Sequence, residues 1–233
     1  PVPEAPDDVV VRVHGAGLNR ADLLQRAGGY PAPPGSPPDI PGLEFAGIVE
    51  ALGPASSDTE LRAVRVDDPV VGVTRFGGYA TAINADLQYL RPIRAGWTFA
   101  EAAAYPVQGL TAWYGLVRLG EVERGRVVLL QSAAGGVGLQ ALAILAATGA
   151  RTVAAVGPQS KRQWLIDHRG LAPEQVIVRD RRTFGVDLDC ALDALGASGF
   201  DLVFDAVAGP FFQPAYDRLQ PEGRHVVYGA ADF

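Results

Sequence analysis

The stretch Val127-Val128-Leu129-Leu130-Gln131-Ser132-Ala133-Ala134-Gly135-Gly136-Val137-Gly138 runs from an apolar, β-branched segment through a glycine-rich turn into a run of helical composition. Strand, tight turn and helix in that order are the context in which a glycine motif carries meaning. Set against the spacing G-x-G-x-x-G, the marked positions are Ala133, Gly135 and Gly138, with alanine in place of the first glycine. Gly135 lets a backbone approach a pyrophosphate, and Gly138 lets the helix pack closely. Gly136 and Val137 open the helix, where free N–H groups and a partial positive charge suit phosphate oxygens. The alternative is a tight strand–helix turn without a ligand.

Beyond this turn, a helix is expected to about residue 148, a strand over 152–156, a helix over 160–168 and a short strand over 176–178. A strand over 202–204, a helix after Gly209 and a last strand over 225–228 follow. Strands alternating with helices pair in parallel through right-handed crossovers. Five strands are counted, one short of a full dinucleotide-binding sheet.

The second strand of such a sheet ends in Asp or Glu where NAD is bound. Here it ends in Gly157-Pro158-Gln159-Ser160-Lys161-Arg162, with no carboxylate. A small residue, a hydroxyl and two cations suit a 2′-phosphate, so NADPH is expected over NADH. The alternative is that Lys161 and Arg162 are the solvated start of a helix. Lys161 is the only lysine among 20 basic residues.

Towards the N-terminus the rhythm changes, and the chain divides into 1–107 and 108–233. The first part holds most of the proline in short apolar stretches. Strands are expected over 9–13, 47–52 and 76–84, a helix over 19–27, and a loop over 28–42. This pattern reads as a small β-rich barrel or sandwich.

Composition narrows the classes further. Of 233 residues, 48% are hydrophobic and 20% charged, which is globular rather than disordered. The net charge of −6 argues against nucleic acid as a partner. No run of about 18 apolar residues is free of charge, Gly or Pro, so no transmembrane helix is expected. The acidic, proline-containing start at 1–8 lacks signal-peptide chemistry. One cysteine, Cys190, excludes an internal disulfide and a Cys-rich zinc site. A reducing, cytoplasmic setting is the expectation.

Four stretches together carry a resemblance: Val11-Arg12-Val13-His14-Gly15-Ala16-Gly17-Leu18-Asn19-Arg20-Ala21-Asp22, Pro41-Gly42-Leu43-Glu44-Phe45-Ala46-Gly47, Gln108-Gly109-Leu110-Thr111-Ala112-Trp113 and the glycine turn. The chain resembles the zinc-independent quinone oxidoreductases of the medium-chain dehydrogenase/reductase superfamily. Thr74-Arg75-Phe76-Gly77-Gly78-Tyr79-Ala80 and the ending Val227-Tyr228-Gly229 are most similar to the vesicle amine transport protein 1 subgroup. The likeness implies an α/β chain: a GroES-like β-barrel domain over 1–107, then a Rossmann domain over 108–233, truncated at both ends relative to the family. Val66-Asp67-Asp68-Pro69-Val70 replaces the family's usual Gly-Asp-Arg-Val.

The same likeness implies the chemistry. Zinc-dependent relatives carry Cys and His where this chain has Asn19 and Leu43, and His14, His168 and His225 are scattered, so no metal is expected. Hydride would pass from NADPH to a quinone or an α,β-unsaturated carbonyl. By resemblance Asn19 hydrogen-bonds the substrate carbonyl or the ribose; it is equally good as the cap of the following helix. Tyr30 matches a proton-donating tyrosine of enoyl-thioester reductases, or is a loop aromatic packed on its neighbours. Thr111 matches a threonine near the carboxamide, or is a helix-start hydroxyl. Tyr228 and Gly229 end the last strand at the cofactor edge. Arg179 replaces a tyrosine that flanks the 2′-phosphate and can serve it by charge. Cys190 reads as an apolar helix residue and Asp205 as structural. Two alternatives stand: an enoyl-thioester reductase, and a protein that binds the cofactor with little turnover. Relatives of this kind often form homodimers.

Overall fold

The computed structural model describes residues 1–37, 39–54 and 64–231. The chain forms two compact units, Pro1–Val107 and Gln108–Phe233.

In the first unit the described strands are β1 (Asp8–Ala16), β2 (Glu44–Leu52), β3 (Pro69–Val73), β4 (Ala82–Asp86) and β5 (Leu90–Pro92). They form one antiparallel sheet in the order β4-β1-β2-β3-β5. Alternation along β1 sends Val9 and Val11 into a core with Phe45, Val49, Val70, Ile83 and Leu90, while Arg12 stays outside. Register shifts after Val10 and Val13 mark bulges in the β1–β2 pairing. A short helix, α1 (Arg20–Arg26), follows β1, and α2 (Phe99–Ala103) starts at a capping box of Thr98 and Glu101.

The strand expected over 76–84 begins only at Ala82. The N–H groups of Gly77, Gly78 and Tyr79 donate to Ile40, Gly42 and Pro41 carbonyls. The segment's backbone is therefore committed to a loop, not to a sheet ladder. Asp67 takes a φ of 71°, a left-handed turn position that Asp tolerates.

The second unit carries β6 (Val127–Gln131), β7 (Arg151–Val156), β8 (Val176–Val178), β9 (Phe200–Asp205) and β10 (Leu219–Val227). These five pair in parallel in the order β10-β9-β6-β7-β8. The order reverses direction between β6 and β9, the switch point where such sheets open a crevice at their carboxyl ends. Apolar clusters cover both faces, so the strands are apolar throughout rather than alternating. The chain enters the unit through α3 (Pro106–Trp113) and a π-helical turn, Tyr114–Leu119.

Helix α4 (Gly136–Thr148) begins where the glycine turn predicts and ends at Gly149, with a φ of 75°. Gly138, Ala141, Leu142 and Leu145 form its buried stripe. Helix α5 is Gln159–Arg169, α6 is Phe184–Leu195 and α7 is Phe212–Tyr216. Helix α6 holds Cys190, the residue expected on a helix. Its stripe of Phe184, Leu188, Ala191 and Leu192 lies in the core, whereas Cys190 is exposed on its outer side. The last strand starts earlier than expected, at Leu219, which pairs with Phe200, and its register against β9 shifts between Leu219 and Arg224, where Glu222 takes a φ of 66°.

Candidate functional site

The second unit's candidate residues gather at the carboxyl ends of its strands. At the end of β6, Ser132 takes a φ of 57°, and Gly135 N–H donates 2.8 Å to its carbonyl, closing the turn. Ala133 is buried beneath, its N–H bonded to Ala155 O at 3.1 Å. A Cβ on Gly138 would overlap the Ser132 and Ala133 carbonyl oxygens. Its glycine requirement therefore comes from the turn itself as well as from helix packing. A Cβ on Gly136 would strike the Gln108 carboxamide, whereas one on Gly135 would sit 3.1 Å from Ser132 O. The first N–H groups of α4, from Gly136 and Val137 onward, have no intrahelical acceptor. At a helix start such N–H groups, with the partial positive charge of the helix end, favour an anion.

At the end of β7, Gly157, Ser160 and Lys161 are exposed. Arg162 is not available beside them. Its Nε donates to Val176 O at 2.7 Å and its NH2 to Pro173 O at 2.6 Å, so it braces α5 against the segment before β8. Arg179, just past β8, does reach the place. Its guanidinium lies over the Phe211 ring at 5.7 Å, and its NH2 comes within 3.8 Å of where a Gly157 Cβ would stand. The structure thus brings together Gly157 and Arg179, and diverts Arg162.

Thr111 and Tyr228 line one mostly apolar hollow of about 330 Å³, with Leu110, Tyr114 and Leu119. Tyr228 follows β10 and stacks on Phe204 with ring centroids 4.2 Å apart. Burial, with Asp205 nearby, pushes its phenol pKa up, so it stays neutral and can donate. A Cβ on Gly229 would sit 3.1 Å from Ala206 O, so backbone packs closely there. Asp205 accepts from Val207 and Ala208 N–H and from His225 Nε2 at 3.0 Å. These bonds hold Ala208 in its left-handed backbone, at a φ of 53°. Asp205 is a buried organiser of the edge, in keeping with a structural part.

The first unit builds a separate polar cluster. Asn19 is the N-cap residue of α1, with extended backbone at φ −126°. Its Nδ2 donates to Glu44 Oε1 at 2.7 Å, and Val107 N–H donates to Glu44 Oε2 at 2.8 Å. Asp22 Oδ2 accepts from Asn19 N–H at 2.6 Å and from Tyr79 O–H. Glu44 is 0% exposed. Burial pushes its carboxyl above the ordinary glutamate range; the Val107 and Asn19 donors oppose that, and the Asp22 charge adds to it. Tyr79 is pushed up by burial and by its bond to Asp22. Tyr30, 44% exposed, instead stacks on Phe76 with centroids 6.2 Å apart.

Sequence reasoning assigned no role to Asp22, Glu44 and Tyr79. The available signal was two carboxylates set among apolar and small residues, Ala21-Asp22-Leu23 and Leu43-Glu44-Phe45. Among the described residues, no group of three His, Cys, Asp or Glu is placed to hold a metal ion. No helix among them is long and apolar enough to cross a membrane.

Known proteins share this arrangement. Residues 5–113 match the alcohol dehydrogenase GroES-like domain family. A mycocerosic acid synthase-like polyketide synthase of Mycobacterium tuberculosis is 35% identical over 91% of this chain, and a synaptic vesicle membrane protein VAT-1 homolog of Danio rerio is 32% identical over 97%. The chain spans only 10% of the synthase's length and 44% of the VAT-1 homolog's. Among solved structures, the CurK enoyl reductase superposes with a TM-score of 0.86 at 28% identity, with 100% of this chain matched to 69% of that one. The Escherichia coli quinone oxidoreductase complexed with NADPH gives 0.83 at 29% identity, matching 99% to 67%. An alcohol dehydrogenase superfamily protein from Novosphingobium aromaticivorans gives 0.80 at 31% identity, again 99% to 67%. An antiparallel GroES-like unit followed by a parallel Rossmann sheet is the fold shared with these relatives, and the chain belongs to the medium-chain dehydrogenase/reductase superfamily, within which it is similar to quinone oxidoreductases.

Proposed function

We propose that this chain takes part in NADPH-dependent reduction of a carbon–carbon double bond conjugated to a carbonyl. The observation that carries the cofactor choice is the end of β7: no carboxylate, an exposed Ser160 and Lys161, and the Arg179 guanidinium against Gly157. Each charge-assisted contact to a 2′-phosphate contributes about 1.5–3 kcal/mol. The N–H groups that open α4 hold the pyrophosphate, and Gly135 keeps the approach clear. Thr111 and Tyr228 line an apolar hollow of the second unit suited to a planar ring, and Gly229 follows at the end of the strand. When bound, NADPH supplies a hydride. The acceptor's β-carbon takes it with its electron pair, the carbonyl oxygen carries the resulting enolate charge, and the α-carbon then takes a proton. Asn19 and Tyr30 are the first unit's groups for the acceptor and its proton.

An enoyl thioester is the acceptor class favoured by the match to a polyketide synthase and by the superposition on the CurK enoyl reductase. A quinone or free enone is the second reading, favoured by the superposition on the Escherichia coli quinone oxidoreductase. The full chain is titrated with NADPH and with NADH, following nicotinamide fluorescence. Turnover is then followed by nicotinamide absorbance with crotonyl-N-acetylcysteamine and with 9,10-phenanthrenequinone. NADPH binding at least about tenfold tighter than NADH, a gap of 1.4 kcal/mol, is expected, with faster turnover of the thioester. Faster quinone turnover would favour the second reading. NADPH bound but left intact by both acceptors would mark a cofactor-binding protein. No binding of either nucleotide would sink the cofactor assignment.

A further inference from the structure

Ala208 stands in a backbone region that side chains avoid. Its φ of 53° and ψ of −135° form a combination that residues other than glycine rarely adopt. Such a residue persists only where its surroundings over-determine it. Here Asp205 Oδ1 accepts from Val207 N–H at 2.7 Å and from Ala208 N–H at 3.0 Å. Asp205 Oδ2 meets His225 Nε2 at 3.0 Å. One oxygen holds the turn, while the other is itself held from β10.

His225 is a buried imidazole with a single polar contact. Its side chain is 5% exposed, and its ring stacks on Phe212 with centroids 4.3 Å apart. Its Nδ1 is buried without a hydrogen-bond partner among the described residues. A carboxylate only accepts, so Nε2 carries the proton of the bond to Asp205. A buried ring atom left unpaired costs stability that an apolar residue would not. That cost points to a task beyond packing.

The turn leads directly to Phe211. Phe211 N–H donates to Ala208 O at 3.2 Å. The Phe211 ring stands edge-on to Phe184 with centroids 5.0 Å apart, and the Arg179 guanidinium lies over it at 5.7 Å. Arg179 is the cation beside Gly157. His225, Asp205, the turn, Phe211 and Arg179 thus form one contiguous series within the second unit.

We infer that His225 is a positioning residue for cofactor choice: through Asp205 it holds the turn at Val207 and Ala208, and with it the Phe211 ring, where Arg179 meets an adenosine 2′-phosphate. The inference rests on the NADPH reading above for its consequence, and on the hydrogen bonds and the Ala208 backbone alone for the clamp. Without the clamp Ala208 relaxes to ordinary backbone and carries Phe211 with it. The loss falls on the nucleotide that bears the 2′-phosphate.

Two measurements on the full chain test this. The first is parallel fluorescence titration with NADPH and NADH, with thermal midpoints as a control. His225→Phe keeps a ring on Phe212 and removes the donor. It is expected to weaken NADPH binding about tenfold and NADH binding by less than about twofold. Equal losses for both nucleotides mean a merely structural role and overturn the inference, as does an unchanged ratio. His225→Gln places an amide N–H where the imidazole donor stood, and is expected to keep the parent's ratio within about threefold. A ratio as low as that of His225→Phe overturns the hydrogen bond as the cause. Ala208→Gly added to His225→Phe is expected to recover at least about threefold of the lost NADPH affinity, because glycine takes this backbone unaided. No recovery overturns the turn as the route. The second measurement needs no nucleotide. Amide hydrogen exchange at Val207 and Ala208 is expected to be at least about tenfold faster in His225→Phe than in the parent. Unchanged exchange overturns the clamp. A parent that binds NADPH and NADH alike overturns the NADPH reading, and the exchange rates still decide whether His225 holds the turn.

Discussion

On the proposed reading, Arg179 is the side chain that selects the cofactor. Its guanidinium rests on Phe211 and reaches the end of β7 beside Gly157. A cation held there by packing meets a 2′-phosphate at little cost in side-chain entropy. Arg179→Ala is expected to weaken NADPH binding by about ten- to a hundredfold and to leave NADH binding within about twofold of the parent, as read by parallel fluorescence titrations. Arg162→Ala is expected to act differently, loosening α5 and lowering the thermal midpoint with both nucleotides bound in the parent's ratio, because its donors go to Val176 and Pro173 carbonyls. In the first unit, Tyr79→Phe removes a donor from buried Asp22. A loss of about 1.5–3 kcal/mol in urea unfolding is expected, the worth of one hydrogen bond to a carboxylate, since Asp22 Oδ2 keeps its bond from Asn19 N–H.

At the scale of elements, the glycine turn and α4 act as one unit. The turn closes through Gly135 N–H to Ser132 O, and α4 begins against the oxygens of Ser132 and Ala133. Gly138→Ala therefore pushes the first turn of α4 off the end of β6. Overall helicity is expected to survive, because Ala is the better helix former, while NADPH affinity falls by more than about tenfold. Retained affinity would show that α4 does not place the phosphate donors. The π-helical turn Tyr114–Leu119 is a second such device. It sets Gly115 against the Phe204 ring, where a Cβ would overlap, and so brings Thr111 and Tyr228 to one hollow.

For the whole molecule, two buried carboxyls set opposing pH dependences. Burial alone would raise Asp205, but hydrogen bonds from His225, Ala208 and Val207 outweigh it and hold its pKa below the ordinary value. A depressed pKa contributes stability above the unfolded value of about 3.9. That contribution is lost as the pH falls from there through the lower folded value. Glu44 is raised, so its cost sets in as the pH rises from about 4.3 through its folded value. The urea midpoint is expected to fall on acidification below about pH 4, less steeply in Asp205→Asn. Glu44→Gln is expected to remove part of the decline on the higher-pH side. Identical slopes in parent and variants would mean that neither carboxyl controls the response.

Much of this protein was legible in its residues because the relevant physics is short-ranged. The start of α4 at Gly136, the strand Val176–Val178 and the five parallel strands follow from apolar runs, glycine turns and helix caps, each decided within a few residues. The missing carboxylate after β7 was equally plain. Other features needed the tertiary structure. Residues 76–81 look like a strand, yet the N–H groups of Gly77, Gly78 and Tyr79 belong to the loop at Ile40–Gly42. Arg162 and Arg179 look alike as cations, but only the folded packing sends one to backbone carbonyls and the other to Gly157. Asn19 meets Glu44 across 25 residues, and Asp22 meets Tyr79 across 57. The sequence alone determined most of the kinds of element and the glycine turn that opens α4, since backbone geometry and neighbouring side chains suffice for both. Which polar groups meet was decided only by the tertiary structure, because strand order and loop path bring distant residues within hydrogen-bond reach and burial then makes those pairings obligatory.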